Sequence, residues 1–131
     1  MLTEPQQLFV AALRSDEFKQ GNNALLNAAG SEKRYCCLGV ACEIYRRTTG
    51  NGVWENVVGN INYFRFAGMS ISTVLHSAVA GWLGLFVNDP YIAVVNDESV
   101  TATKLNDDKG WTFNQIANAF EKYFEESNNA H

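Results

Sequence analysis

The sequence predicts a single α+β domain in which about four helices pack on a small antiparallel sheet. Helical and strand-like segments do not alternate regularly, as they would in a doubly wound parallel sheet. The chain has 131 residues, 47% of them apolar and 18% charged, a balance typical of one globular domain. We therefore expect one core within residues 1–131 that needs neither a disulfide nor a metal to fold.

The first and last helices have the clearest start signals. Thr3 and Thr112 each precede an apolar stripe of helical spacing, and each has a glutamine three residues later at the capping-box position. The first helix is predicted to extend to about Ser15. Residues 125–131 are predicted to form a frayed polar tail after the last helix.

The middle of the chain predicts further helices and several short strands. Residues 24–35 read as a hairpin or loop, and residues 37–47 as a buried helix. Gly39 within that helix indicates close packing against another backbone, because glycine there lowers helix stability by about 1 kcal/mol relative to alanine. Residues 53–66 are rich in aromatic and β-branched side chains and predict one or two strands.

Two more segments complete the prediction. A third helix is expected to start near Ser70 or Ser72 and to end around Gly84. Residues 91–95 predict a short strand, and the alternation in residues 100–105 predicts an edge strand.

Charge is distributed unevenly along the chain. The net charge is −4, which argues against sequence-specific nucleic-acid binding. Residues 14–65 carry seven bases and five acids, net +2, whereas residues 66–131 carry three bases and eight acids, net −5. No apolar segment reaches the roughly 18 residues of a membrane helix, so we expect no membrane partner.

Basic and aromatic residues of the first half form a candidate site for a small anion. Arginine offers a bidentate fork to phosphate or carboxylate, loop amides add donors, and aromatic rings can stack on a base. Alternatively, these bases form salt bridges with Asp16, Glu17, Glu32 and Glu43. The candidate ligand-binding residues are Arg14, Lys19, Gln20, Arg34, Tyr35, Trp54 and Arg65.

The cysteines admit two interpretations. Cys36, Cys37 and Cys42 lie within seven residues, which suits neither a disulfide framework nor zinc. A cysteine at a helix start can act as a nucleophile if its pKa is lowered; the alternative is a small core residue. His76 has no partner motif and reads as structural. We expect no metal and no cofactor.

Several motifs give the chain a resemblance to a known family. It resembles a family of small uncharacterised proteins of tailed bacteriophages and prophages over roughly residues 9–124. The motifs that carry the resemblance are Ala12-Leu13-Arg14-Ser15, Phe18-Lys19-Gln20-Gly21, Tyr35-Cys36-Cys37-Leu38-Gly39-Val40, Ala80-Gly81-Trp82-Leu83-Gly84-Leu85 and Lys104-Leu105-Asn106-Asp107. The resemblance implies a phage- or prophage-encoded accessory protein that acts in the host cytoplasm. It implies no catalytic residues.

Three functions follow as hypotheses. The first is binding and sequestration of a small anionic, nucleotide-like ligand, which would counter host immune signalling. The second is inhibition of a host defence or regulatory enzyme, with the acidic second half attracting a basic partner. The third is a small hydrolase or transferase that uses Cys36 or Cys37. We favour a binding protein over an enzyme, and expect a homodimer.

Overall fold

Five helices and eight strands form the α+β fold that the sequence predicts. The computed structural model describes residues 1–130, apart from the side chains of residues 57 and 58. Within that range the helices are α1 (Glu4–Arg14), α2 (Cys37–Thr49), α3 (Ser77–Trp82), α4 (Ala102–Asp107) and α5 (Phe113–Asn129). The strands are β1 (Lys19–Gln20), β2 (Leu26–Ala29), β3 (Glu32–Tyr35), β4 (Val53–Val58), β5 (Ile61–Phe66), β6 (Met69–Ile71), β7 (Tyr91–Val95) and β8 (Glu98–Thr101).

The strands form two sheets. The larger has the order β1-β3-β2-β5-β4, with β6 paired to β5, and only β1 and β3 pair in parallel among the described strands. β7 and β8 form a separate antiparallel hairpin. The hairpin predicted within residues 24–35 is confirmed as β2 and β3. Gly30 turns it with φ +63°, a conformation that glycine adopts without strain.

The capping boxes at Thr3 and Thr112 are confirmed. The prediction of a frayed tail is wrong, because α5 continues to Asn129. Contacts with the start of the chain hold the last turns of α5 in place. The Met1 ammonium lies 3.0 Å from a Glu125 carboxylate oxygen, and the Asn128 amide donates to the Met1 carbonyl at 2.7 Å. His131, the last residue of that predicted tail, lies outside the described residues.

Gly39 lets α2 touch the backbone at the start of β2. A Cβ atom on Gly39 would lie 1.8 Å from the Leu25 carbonyl oxygen and 2.7 Å from the Leu25 carbonyl carbon. This confirms the close approach that the sequence predicts. The contact fixes the position of α2 relative to the β2–β3 hairpin.

Two predicted boundaries in the second half are wrong. The third helix starts at Ser77, because residues 69–71 pair with β5 as β6 and His76 caps the helix through Nδ1, which accepts from the Ala78 N–H at 3.0 Å. The strand predicted at residues 100–105 ends at Thr101. The Thr101 hydroxyl accepts from the Lys104 N–H at 3.4 Å and starts α4.

α1 and α5 pack against each other over the core. The Phe9 and Phe120 rings meet edge to face at 4.8 Å, and both side chains are fully buried. No helix in residues 1–130 has the length and apolar character needed to cross a bilayer.

Asn106 is a buried polar residue that joins three parts of the chain. Its amide oxygen accepts from the Cys37 N–H at 3.2 Å and from the Gln20 amide at 2.9 Å. Its amide nitrogen donates to the Gly21 carbonyl at 2.8 Å. These bonds attach α4 to the start of α2 and to the end of β1.

Candidate functional site

A charged cleft opens between the segment after α1, the β2–β3 hairpin and α2. Its volume is about 590 Å³, within the range of small-molecule sites. Residues 17–19, residues 31–33 and one side of α2 contribute to its walls. The lining residues are Glu17, Phe18, Lys19, Ser31, Glu32, Lys33, Tyr35, Glu43 and Arg47.

Glu43 of α2 lies at the inner end of the cleft and is only 5% exposed. Arg46 donates to its carboxylate through Nε and Nη2, both at 2.8 Å. Arg47 Nε donates at 2.9 Å, and the Trp54 indole N–H donates at 2.9 Å. Burial alone would raise the pKa of Glu43, but the hydrogen bonds from Arg46, Trp54 and Arg47 outweigh it and lower the pKa to about 2. Glu43 is therefore ionised at neutral pH.

Arg47 is held from three sides. Besides Glu43, it binds a Glu17 carboxylate oxygen through Nη1 at 2.6 Å. Its guanidinium carbon also lies 5.1 Å from the centre of the Phe18 ring, a cation–π contact. Glu17, Glu43, Arg46 and Arg47 together form an electrically neutral group, which we call the inner cluster.

The outer rim has a different charge balance. We define it as Lys19, Glu32, Lys33 and Arg34. Glu32 is shared between Lys19 Nζ at 3.5 Å and Arg34 Nη2 at 2.7 Å. Lys33 is exposed and forms no ion pair with the described residues. Three cations against one carboxylate give these four residues a net charge of +2, on a chain whose overall charge is −4; Arg34 lies beside the cleft and does not line it.

Tyr35 lies between the rim and the inner cluster. Its ring meets the Phe18 ring at 5.2 Å and the Trp54 ring at 6.2 Å, both edge to face. Its hydroxyl forms no hydrogen bond with the described residues. Among those residues, every fully buried side-chain nitrogen or oxygen atom has a hydrogen-bond partner. The hydroxyl therefore reaches solvent in the cleft. Burial and the nearby Glu43 carboxylate raise the pKa of Tyr35, so the hydroxyl keeps its proton.

Two of the seven predicted ligand-binding residues, Lys19 and Tyr35, line this cleft. Arg34 does not line it, but it binds Glu32, which does. Trp54 lies behind it, where its indole N–H holds Glu43. The Gln20 side chain turns away and donates to the Trp111 carbonyl at 2.8 Å.

Arg14 and Arg65 do not join this group, so the predicted convergence is wrong for them. Arg14 binds Glu121 at 3.2 Å, on the face that α1 shares with α5. Arg65 binds Glu55 at 3.1 Å across β4 and β5. The alternative interpretation of the sequence, salt bridges with Asp16, Glu17, Glu32 and Glu43, correctly describes Lys19 and Arg34, which both pair with Glu32. It does not describe these two arginines, because their partners are other glutamates.

Sequence reasoning missed Lys33, Glu43 and Arg47 as residues of the cleft. A signal for the last two exists, because Glu43 and Arg47 are four residues apart on one helix face, the spacing of an intrahelical ion pair. The only sequence signal for Lys33 is its position beside Arg34 and Tyr35.

The cysteines are core residues in the described structure. Cys36, Cys37 and Cys42 are all buried. Cys36 caps α2 by accepting from the Gly39 N–H at 3.4 Å, and burial raises its pKa to about 12. Burial also raises the pKa of Cys37 and of Cys42. The three thiols are therefore protonated at neutral pH, which gives no support to cysteine chemistry.

Fold and cleft together define an α+β protein with a polar cleft of ligand size. The chain belongs to a family described as a domain of unknown function, DUF8296, whose model matches residues 1–124. No curated protein and no solved structure matches it.

Proposed function

We propose that this protein binds a small anionic, nucleotide-like ligand in the cleft. The observation that carries the proposal is the net charge of +2 on the outer rim. Since the inner cluster is neutral and tightly hydrogen-bonded, the surplus positive charge is that of the exposed rim side chains Lys19, Lys33 and Arg34. An anion entering there meets Lys33 first, because that ammonium has no partner to give up among the described residues.

Each rim residue has a distinct part in this binding. Lys33 supplies a point charge, and Arg34 supplies a bidentate fork once the anion replaces Glu32. Lys19 follows the same exchange, because it shares Glu32 with Arg34. The protonated Tyr35 hydroxyl donates to an oxygen deeper in the cleft. The inner cluster remains intact and keeps the Tyr35 ring in place.

Sequestration, rather than conversion, is the activity that these residues support. The candidate nucleophiles, the three thiols, are buried and protonated. The resemblance to phage and prophage proteins adds the context of an infected bacterium. In that context the protein acts in the host cytoplasm and withdraws a nucleotide signal used by host immunity. A homodimer is part of this proposal, since small binding proteins can complete a site at a subunit interface.

Isothermal titration calorimetry at low salt tests the proposal. The ligand panel contains inorganic phosphate, pyrophosphate, mononucleotides and cyclic dinucleotides. We expect saturable binding of at least one nucleotide, weakened at least 10-fold by Arg34→Gln. Arg65→Gln is the matched control, because both arginines lie on strands, pair with one glutamate and are 52% and 53% exposed.

Two results would contradict the proposal. One is the absence of saturable binding across the panel by the wild-type protein. The other is an equal loss of affinity in Arg34→Gln and Arg65→Gln, which would place the effect outside the cleft. Native mass spectrometry of the same samples gives the number of chains per particle and any ligand retained during purification.

A second candidate function is binding of a host protein. It is favoured by a separate observation, the exposed apolar side chains Tyr91 and Val94 of β7.

A further inference from the structure

A second depression lies between β7 and α5, and it shares no lining residue with the cleft. Its volume is about 720 Å³. Residues 91–94 form one wall, and Trp111, Ala119 and Tyr123 contribute to the other. We call this depression the β7–α5 groove.

The groove exposes apolar side chains that folding leaves in water. Tyr91 is 64% exposed and Val94 is 69% exposed, although both lie on a strand. Isolated exposed apolar residues are common on protein surfaces, but a groove lined by several of them marks an interaction site.

The strand that lines the groove has an unpaired edge. β8 is the only strand that pairs with β7 in the described structure, so the other edge of β7 offers backbone N–H and C=O groups. Four consecutive residues of β7 border the groove. Side chains alternate between the two faces of a strand, except at the β-bulge between Tyr91 and Ala93, so a run of four lining residues includes the backbone of β7.

Charge identifies the kind of partner. Lys122 and Glu126 of α5 both line the groove, lie 4.0 Å apart and balance each other in charge. The unbalanced charge lies beyond the end of β7, where Asp97 of the turn and Glu98 of β8 are exposed and form no ion pair with the described residues. Residues 66–131 as a whole carry a net charge of −5. A second copy of this acidic chain would bring like charges together, whereas a basic partner is attracted.

We propose that the β7–α5 groove binds an extended, basic segment of a partner protein, which adds to the edge of β7 as a third strand. Backbone hydrogen bonds to β7 supply affinity, and alternate apolar side chains of the segment cover Tyr91 and Val94. Basic side chains of the segment face Asp97 and Glu98.

A library of random 12-residue peptides, selected for binding to the whole protein at low salt, tests this proposal. We expect the selected peptides to be basic and to alternate apolar with polar residues. Fluorescence polarisation with the best synthetic peptide measures affinity, and amide NMR shifts map the site. We expect the largest shifts in residues 91–95.

Val94→Arg is the test variant, because it replaces an exposed apolar side chain with a positive charge in the groove. We expect it to weaken the peptide at least 10-fold. Phe86→Arg is the matched control, because Phe86 is 98% exposed and does not line the groove. It should leave affinity within about twofold.

Three outcomes of the peptide experiments would overturn the proposal. They are failure of the library to yield a binder, binding that Val94→Arg and Phe86→Arg weaken equally, and selected peptides that are acidic. A concentration-dependent dimer abolished by Val94→Arg, seen by analytical ultracentrifugation, would also overturn it, because a second copy would then be the occupant.

Discussion

The cleft and the β7–α5 groove have similar volumes, about 590 and 720 Å³, but opposite kinds of wall. Apart from Lys33, the charged groups of the cleft already bind one another, so an incoming anion has to exchange with existing ion pairs. Tyr91 and Val94 of the groove are exposed to water, so a partner gains free energy by excluding that water. The difference teaches that the cleft selects a ligand by the arrangement of charge, whereas the groove selects by apolar burial and strand pairing.

The largest expected loss of stability comes from a substitution in the core beneath the groove. Phe120 on α5 is fully buried, and its ring stacks on Phe124 at 5.5 Å. We expect Phe120→Ala to lower the free energy of unfolding by about 3–5 kcal/mol, measured by urea denaturation. Phe86→Ala, the same change at an exposed position, should alter it by less than about 0.5 kcal/mol. Equal effects would show that α5 does not anchor the groove to the core.

A comparable loss of stability is expected from a substitution in the core beneath the cleft. In Gly39→Ala the new Cβ would collide with the Leu25 backbone, which cannot move like a side chain. We expect a loss of about 3 kcal/mol in urea denaturation. Gly81→Ala is the control, because Gly81 lies in α3 with open space around its Cβ position. There alanine should raise stability by up to about 1 kcal/mol. A tolerated Gly39→Ala would mean that α2 is free to shift.

A pH-dependent effect distinguishes the inner cluster from the rest of the molecule. The pKa of Glu43 falls from an ordinary value of 4.5 to about 2 on folding. Between these values the unfolded chain binds a proton that the folded protein does not. The stabilisation from Glu43 is therefore complete above about pH 5 and disappears as the pH falls towards 2. We expect it to be roughly 2–3 kcal/mol, because Arg46 and Arg47 remain partly exposed to solvent.

Glu43→Gln measures this contribution. The difference in unfolding free energy between wild type and Glu43→Gln should be largest at pH 7 and close to zero near pH 2. Glu55→Gln, which removes an exposed partner of Arg65, should show a small difference at every pH. A Glu43→Gln difference that does not change with pH would contradict the lowered pKa.

Local signals account for the parts of the fold that could be predicted. The capping boxes at Thr3 and Thr112 each lie within four residues, and Gly39 gives its signal at one position. The start of α4 was missed although Thr101 caps it locally, because Thr101 also fits the alternation of a strand and the second contact, from the Thr103 N–H to Asp89 at 3.1 Å, spans 14 residues. The alternation around Thr101 and Thr103 therefore reads as a strand when the sequence is considered alone.

For the candidate site too, contacts between residues that are distant in sequence could not be predicted. Lys33 and Tyr35 reach the cleft because they lie two residues apart on one face of β3, whereas Arg34 between them contacts it only through Glu32. Arg14 and Arg65 have the same chemistry as Arg34, but they lie on elements that face elsewhere. Side-chain type and sequence distance could not distinguish them, because the packing of α1 on α5 and the pairing of β4 with β5 decide where these arginines lie.

The side chain of Asn106 has a consequence for how the molecule opens. Through it, the loop at Gly21, the first turn of α2 and α4 share one set of buried hydrogen bonds. Separating any one of them breaks at least one hydrogen bond of this buried amide, which costs about 0.5–1.5 kcal/mol per bond. Partial unfolding of either half is therefore penalised, and the early and late parts of the chain form one cooperative unit that opens as a whole.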